Sequence, residues 1–293
     1  MAGKQVTELD ALPSFTDNSL LPVHNGAGLK KGTLTQLSNY LGNKFSNPNL
    51  LINPDFKINQ RGATSYEKQG YSVDRWKIWN VTVTPSTSGG ITVKNDKYTD
   101  TGTFLQYLEN ATEGDSTLSC YVTSVSGTVT MVADDNSQVI LKQGLNVVHT
   151  SKSTKTFTIF LNRGTSVTLK WVKLEQGTMA TSFIAPSPVE EYPKCQRYFQ
   201  YISKLYCVPL IYTKSLINAS DKFFQATNGN LPTEMRTKPT LTYKTLGQSD
   251  NSTFTGSASF EFDSKSINTV TLDRAISNFT ITINSINLDA EIY

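Results

Sequence analysis

From Asn49 to Pro186 apolar and polar residues alternate in short runs, separated by clusters of turn-forming residues. Period-two alternation suits a half-buried strand, because successive side chains point to opposite faces. The pattern predicts strands at 51–58, 71–84, 90–95, 103–109, 116–123, 127–133, 138–141, 146–149, 155–161 and 166–175, broken by Gly-Gly, Asp-Asp-Asn and Asn-Arg-Gly. Many short strands at such spacing predict a β-sandwich of jelly-roll type. Leu118, Cys120 and Val122 share one face, as do Val129, Met131 and Ala133, and then Phe157, Ile159 and Leu161. These are the expected core positions. In "YSVDRWKIW" the same parity places Ser72, Asp74, Trp76 and Ile78 inward, and Tyr71, Val73, Arg75, Lys77 and Trp79 outward.

The flanks differ. Residues 1–48 read as short extended pieces, clearest at Leu20 to Val23, followed by a turn at Asn25 to Gly28 and a brief helix with Leu34, Leu37 and Leu41 on one face and Gly42 as its stop. Such a segment is too small to bury a sufficient core alone, so it is expected to pack against its own copies or a larger assembly. After Pro186, Ser187, Pro188 and Glu190 have the spacing of a helix start. Pro193 interrupts it, and a second helix is predicted over 193–204 with Cys195, Phe199 and Ile202 on its packing side. Alternation then returns to the C-terminus. Phe279, Ile281 and Ile283 have one parity and Ile286, Leu288, Ala290 and Ile292 the other, which predicts a bulge or change of face near Ser285. The expected layout is mainly β: an N-terminal segment (1–48), a central β-sandwich (49–186), and a connecting helix with a smaller β domain (187–293).

Composition fits this layout. Charged residues make up 17% of the chain, and Thr, Ser and Asn take the space that charged residues occupy on helical surfaces. The net charge is +3 with the 27 basic residues scattered, so nucleic acid is not an expected partner. No apolar run approaches the length of a membrane span, and "MAGKQVTELDAL" lacks the basic and apolar regions of a signal peptide, so membrane insertion is not expected. Cys120, Cys195 and Cys207 cannot form a complete disulfide framework and read as buried thiols. Oligomerisation is then the expected source of robustness.

No catalytic set is visible. His24 and His149 lie in separate segments, and nucleophile-elbow, zinc and phosphate-loop motifs are absent, so no catalytic residue, metal site or cofactor is assigned and the chain is expected not to be an enzyme. Glu190 with Glu191 reads as helix-start charge, and Asp134 with Asp135 as a turn. A polysaccharide-cleaving pair would need two carboxylates facing across a groove, for which Glu67, Asp74, Glu109 and Glu175 are the candidates, and a structural calcium would draw on Asp96, Asp100 and Asp134 to Asn136. The outward face of "YSVDRWKIW" combines large rings with cations. It reads either as an inter-subunit contact or packing surface, or as a sugar-binding surface with Tyr71, Arg75, Lys77 and Trp79 as contacts.

The string "NLLINPDFKINQRGATSYEKQGYSVDRWKIW", ending at Trp79, together with "WVKLEQGTMATSFIAPSPVEEYPKCQRYFQ" (171–200), resembles a module of tail fibre and receptor-binding proteins of tailed bacteriophages. "LPTEMRTKPTLT" (231–242), the terminal "LDAEIY" and the N-terminal "VTELDALPSFTDNSLLPVHNGAGLKKGTLTQLSNYL" are similar to other regions of such proteins. Pro193 departs from the family pattern, in which a helix usually continues. The resemblance implies a carbohydrate-binding-module-like jelly roll in a virion appendage protein, as a homotrimer. It implies attachment to other phage virion proteins through residues 1–48 (Leu20, Leu21, Leu34, Leu37, Leu41), and a bacterial cell-surface glycan as the partner of the β domains. It leaves open whether the appendage is a tail fibre, a baseplate adaptor or a head fibre.

Overall fold

The computed structural model describes residues 19–24, 28–34, 36–37, 40, 45–209, 222–227, 230–243, 245–248, 258–272 and 281–292. It is mainly β. A hairpin of β1 (Leu20–His24) and β2 (Leu29–Thr33) stands first. Ten strands come next: β3 (Tyr66–Tyr71), β4 (Lys77–Pro85), β5 (Ile91–Asn95), β6 (Gly102–Tyr107), β7 (Ser116–Ser126), β8 (Val129–Val132), β9 (Gln138–Ile140), β10 (Gly144–Thr150), β11 (Thr156–Leu161) and β12 (Thr165–Gln176). They form one antiparallel sheet in the order β10-β7-β12-β5-β4-β6-β11-β8-β9, with β3 paired to β4. The end strands β9 and β10 are consecutive in sequence, so the sheet curls until its edges nearly meet, as a β-sandwich.

The alternating residues fill this sandwich. Every core position expected on β7, β8 and β11 is buried, Ala133 just past β8 included. Trp76 sits in the middle, stacked on Phe104 at 4.7 Å, with Phe56 at 5.1 Å and Phe157 edge-on at 5.9 Å. Its indole N–H donates to the Asn53 carbonyl at 3.0 Å, which removes the cost of burying that donor.

Two of the expected strands are not strands. Residues 51–58 form turns, with Asn53 and Phe56 at left-handed φ of 56° and 62°. The Asn53 amide ties the segment together by bonding Ile58 at both N–H and carbonyl, and by donating to the Asp74 carbonyl. The run 71–84 is a hairpin: β3 ends at Tyr71 and β4 begins at Lys77. Ser72 N–H and Trp76 carbonyl close it at 2.8 Å, and Arg75 takes a left-handed φ of 72°. Parity therefore fails across the turn, and Val73 and Arg75 are buried along with Ser72 and Asp74. A second left-handed residue, Asn80 (φ 51°), is a bulge in β4 that buries Ile78 and Val81 alike and leaves Trp79 outside.

A helix, α1 (Pro188–Gln196), comes after the sandwich. Ser187 occupies the N-cap position without a side-chain bond, and Pro193 lies inside the helix. The carbonyl that Pro193 leaves without an intrahelical donor belongs to the exposed Val189, so water can satisfy it. Cys195 packs inward as expected. The helix predicted over 193–204 is not formed: α1 ends at Gln196, and β13 (Phe199–Pro209) takes over because it pairs along β19 (Ile281–Asp289) from Phe199 to Cys207. Tertiary pairing outweighs the weak helical signal there.

The second sheet has the order β15-β19-β13-β14-β18-β17, with β16 beside β19. Its remaining strands are β14 (Lys222–Thr227), β15 (Thr240–Thr242), β16 (Thr245–Gln248), β17 (Ala258–Phe262) and β18 (Ile267–Leu272). Leu205, Met235, Ile267, Ile283, Ile286 and Leu288 form its core. The change of face expected near Ser285 is present: Ser285 has φ 54°, and Ile283 and Ile286 are both buried. Phe279 lies outside the described residues.

Gly102 opens β6 so close to β4 that a Cβ there would stand 2.6 Å from the Asn80 carbonyl oxygen and against Val81 Cγ1. Gly102→Ala is expected to destabilise the protein by about 1–3 kcal/mol, the usual cost of overpacking, read as a lowered urea midpoint at unchanged slope.

Candidate functional site

The four residues nominated from sequence part into two pairs. Tyr71 and Arg75 do not lie on a free surface. They face the end of β19, where the Tyr71 hydroxyl donates to the Ile292 carbonyl. Arg75 is buried at the hairpin tip, with Nη1 2.5 Å from Glu291 Oε2, Nη2 2.7 Å from the Tyr107 carbonyl oxygen, and the guanidinium 3.5 Å above the Tyr198 ring. The turn at Val73–Arg75 is the reason: it swings the Arg75 side chain out of the alternation and towards the second sheet.

Glu291 is gripped from several segments. Arg61 lies 3.5 Å from its carboxylate and 3.6 Å from Asp289, packed 3.8 Å over the Phe199 ring. Arg236 donates to the carbonyls of Ala290 and Glu291, each at 3.1 Å. Gln60 links the hairpin to β13, donating to Asp74 Oδ1 at 2.6 Å and to the Phe199 carbonyl at 2.7 Å. Burial pushes the Asp74 carboxyl up to about 6, against the pull of Arg61 and of two hydrogen bonds from Gln60. On the helix, Glu191 is equally structural: it accepts from Asn53 N–H at 2.7 Å and from Lys194 at 2.8 Å. Sequence reasoning missed Arg61, Arg236 and Glu291. The signal for them lay in the strings "NQRG", "EMRT" and "LDAEIY", whose charged residues meet here.

Lys77 and Trp79 remain on the outer face of the sandwich. Trp79 is 47% exposed and opens a row that crosses five strands: Trp79 faces Thr103, Thr103 faces Phe160, Phe160 faces Thr130 and Thr130 faces Ile140. Trp79, Phe160 and Ile140 are exposed, with threonines between them. The Lys77 ammonium lies 5.4 Å over the ring of Tyr107, which lines a cleft of about 510 Å³. A second aromatic group, not anticipated from sequence, lies on β7 and β12: Trp171 stacks on Phe183 at 4.6 Å and neighbours the exposed Tyr121 at 6.1 Å.

The carboxylates considered for catalysis are each engaged by a different partner. Glu67 pairs with Lys97 at 2.5 Å, Asp74 with Gln60, Glu109 with Arg197 at 3.3 Å, and the buried Glu175 with Lys173 at 3.1 Å. Asp134 and Asp135 stand in the expected turn and accept bonds from Lys155, Ser137 and Thr150. Among the described residues no three His, Cys, Asp or Glu side chains gather as a metal-binding group, and no helix is long and apolar enough to cross a membrane. Cys120 and Cys195 are buried free thiols, the first pushed up to about 12 by burial and the second also raised; the Cys207 side chain lies outside the described residues. In the N-terminal hairpin and the short stretch after it, Leu20 and Leu37 are exposed, Leu21 and Leu34 half-buried, and Leu41 lies outside the described residues.

No known family and no curated protein matches the chain. Among solved structures, a variant of salicylate 1,2-dioxygenase from Pseudoaminobacter salicylatoxidans aligns over 67% of this chain and 72% of its own at 8% identity, with a TM-score of 0.10. A likeness of that size carries no argument about fold or activity.

Removing one partner of a buried ion pair strands the other charge. Glu291→Ala is expected to cost about 3–5 kcal/mol and to raise hydrogen exchange along β13 and β19 more than in β7 and β12. Asp74 sets a pH dependence of definite sign. Its folded pKa lies above the ordinary 3.8, so the folded state holds more protons between the two values and stability falls as pH rises from about 4 to about 6. Relative to Asp74→Asn, the wild type is expected to lose up to about 3 kcal/mol across that window, measured by urea midpoints on either side of it. The acceptor that Asn cannot offer Gln60 adds only a pH-independent offset.

Proposed function

We propose that this chain is a non-enzymatic, fibre-like phage virion appendage protein that attaches the particle to its host through weak, multivalent contacts to a bacterial surface glycan. The single observation that carries the reading is the exposed indole of Trp79 on a rigid sheet face, two residues along β4 from Lys77 and directly opposite Thr103 on β6. A flat ring offers an apolar face to a pyranose, and flanking polar groups bond its hydroxyls. Tyr71 and Arg75 act in support by holding the hairpin that presents this face. One such site is shallow and weak. Three copies on a homotrimeric fibre, held in the virion by the N-terminal segment, raise the effective concentration enough to retain a particle.

A second reading is favoured by the spread of apolar side chains from Trp79 through Phe160 to Ile140: the row is a subunit contact in a purely structural virion component. The two readings part in one set of measurements. On the first, periodate oxidation of host-cell sugars abolishes binding of the assembled protein, and Trp79→Ala weakens it at least about tenfold while assembly is unchanged. On the second, Trp79→Ala weakens assembly, and an aqueous quencher loses access to Trp79 only when the oligomer forms. Binding that survives both periodate and Trp79→Ala overturns the first.

A further inference from the structure

The 510 Å³ cleft beside Tyr107 has a volume typical of ligand sites. Its floor is fixed. Arg75 and Tyr198 are buried there, and the Gln106 amide bonds both the N–H and the carbonyl of Ile52 at 2.8 Å. Its rim is formed by exposed residues just past β6. Gln176 bonds the Glu113 backbone at both N–H and carbonyl, so the backbone is held while the carboxylate has no partner among the described residues. The Asn110 amide likewise makes no hydrogen bond to any described residue. One rim thus carries an exposed carboxylate acceptor on a held backbone and an amide that both donates and accepts, the groups that vicinal hydroxyls satisfy.

Tyr107 belongs both to the cleft lining and to the sheet face that carries Trp79. Tyr107, Leu105 and Thr103 share the outer face of β6, and Lys77 and Trp79 lie opposite on β4. Thr103, opposite Trp79, is four residues from Tyr107, which sets the two ends of this surface about 13 Å apart. That span exceeds a single sugar ring. The rim charge also selects: Glu109 is paired with Arg197, but no described residue neutralises Glu113, so an anionic sugar on the Asn110–Glu113 side, away from the Lys77 ammonium at Tyr107, meets like charge.

We infer that the cleft bordered by Tyr107, Asn110 and Glu113 binds one end of a neutral oligosaccharide whose other end lies on Trp79. This rests on the glycan-reading function proposed above. The test applies the intact oligomer to immobilised bacterial polysaccharides, neutral and uronate-bearing, as wild type, as Trp79→Ala and as the double variant Asn110→Ala/Glu113→Ala. The altered side chains are exposed, and circular dichroism checks that each variant folds. Neutral glycans are expected to bind, with apparent affinity falling about tenfold in each variant. If Trp79→Ala loses binding and the double variant does not, the cleft is overturned and the glycan-reading function stands. A preference for uronate-bearing glycans overturns the neutral assignment. Absence of binding to any glycan overturns the function and the cleft together.

Discussion

The buried pair of Arg75 and Glu291 is the constraint on which the arrangement of the two sheets depends. A guanidinium and a carboxylate with almost no solvent are tolerated only when each is paired and further bonded. Arg75 meets that demand through the Tyr107 carbonyl and the Tyr198 ring, and Glu291 through Arg61. These partners come from β6, from the exit of α1 and from the segment before β3. Satisfying the pair therefore fixes five pieces of chain at once, counting the hairpin of Arg75 and the end of β19. The left-handed backbone at Arg75 is the local cost of reaching this arrangement, of the order of 1 kcal/mol.

Around this clasp the sandwich is stiff in the region that the proposed function uses. Trp76, one residue from Arg75, is the aromatic centre of the core, and the strand it leads into carries Lys77 and Trp79 on the opposite side. The exposed face is thus backed directly by close-packed rings. Groups mounted on such a surface lose little further freedom when they meet a ligand, which is how weak contacts are made efficient. The bulge at Asn80 adds to this by leaving Trp79 outside while the buried alternation of β4 continues at Val81 and Val83.

Much of the fold was legible because period-two alternation reports burial directly. The sets on β7, β8 and β11, the inward Trp76 and Ile78, and the face change at Ser285 all arise from side chains that must choose between core and water. The candidate site was legible only in part. Lys77 and Trp79 fall where alternation puts them, but Tyr71 and Arg75 do not, since "SVDRW" turns without glycine or proline and its Ser72 and Asp74 also fit the strand alternation. The helix expected to reach 204 failed for a related reason: "FQYISKL" fits either period, and the choice was made by β19, some eighty residues on.

By itself, then, the sequence determined the strand-rich class, the core of the sandwich and the short helix after Pro186, because these depend on patterns within a few residues. Only the tertiary structure decided that Arg61, Arg75 and Arg236 converge on the end of β19, that Glu191 is a buried acceptor, and that a cleft opens beside Tyr107. Those outcomes depend on pairings between distant segments. Their free energy exists only once the charges have left water together, and no local pattern records it.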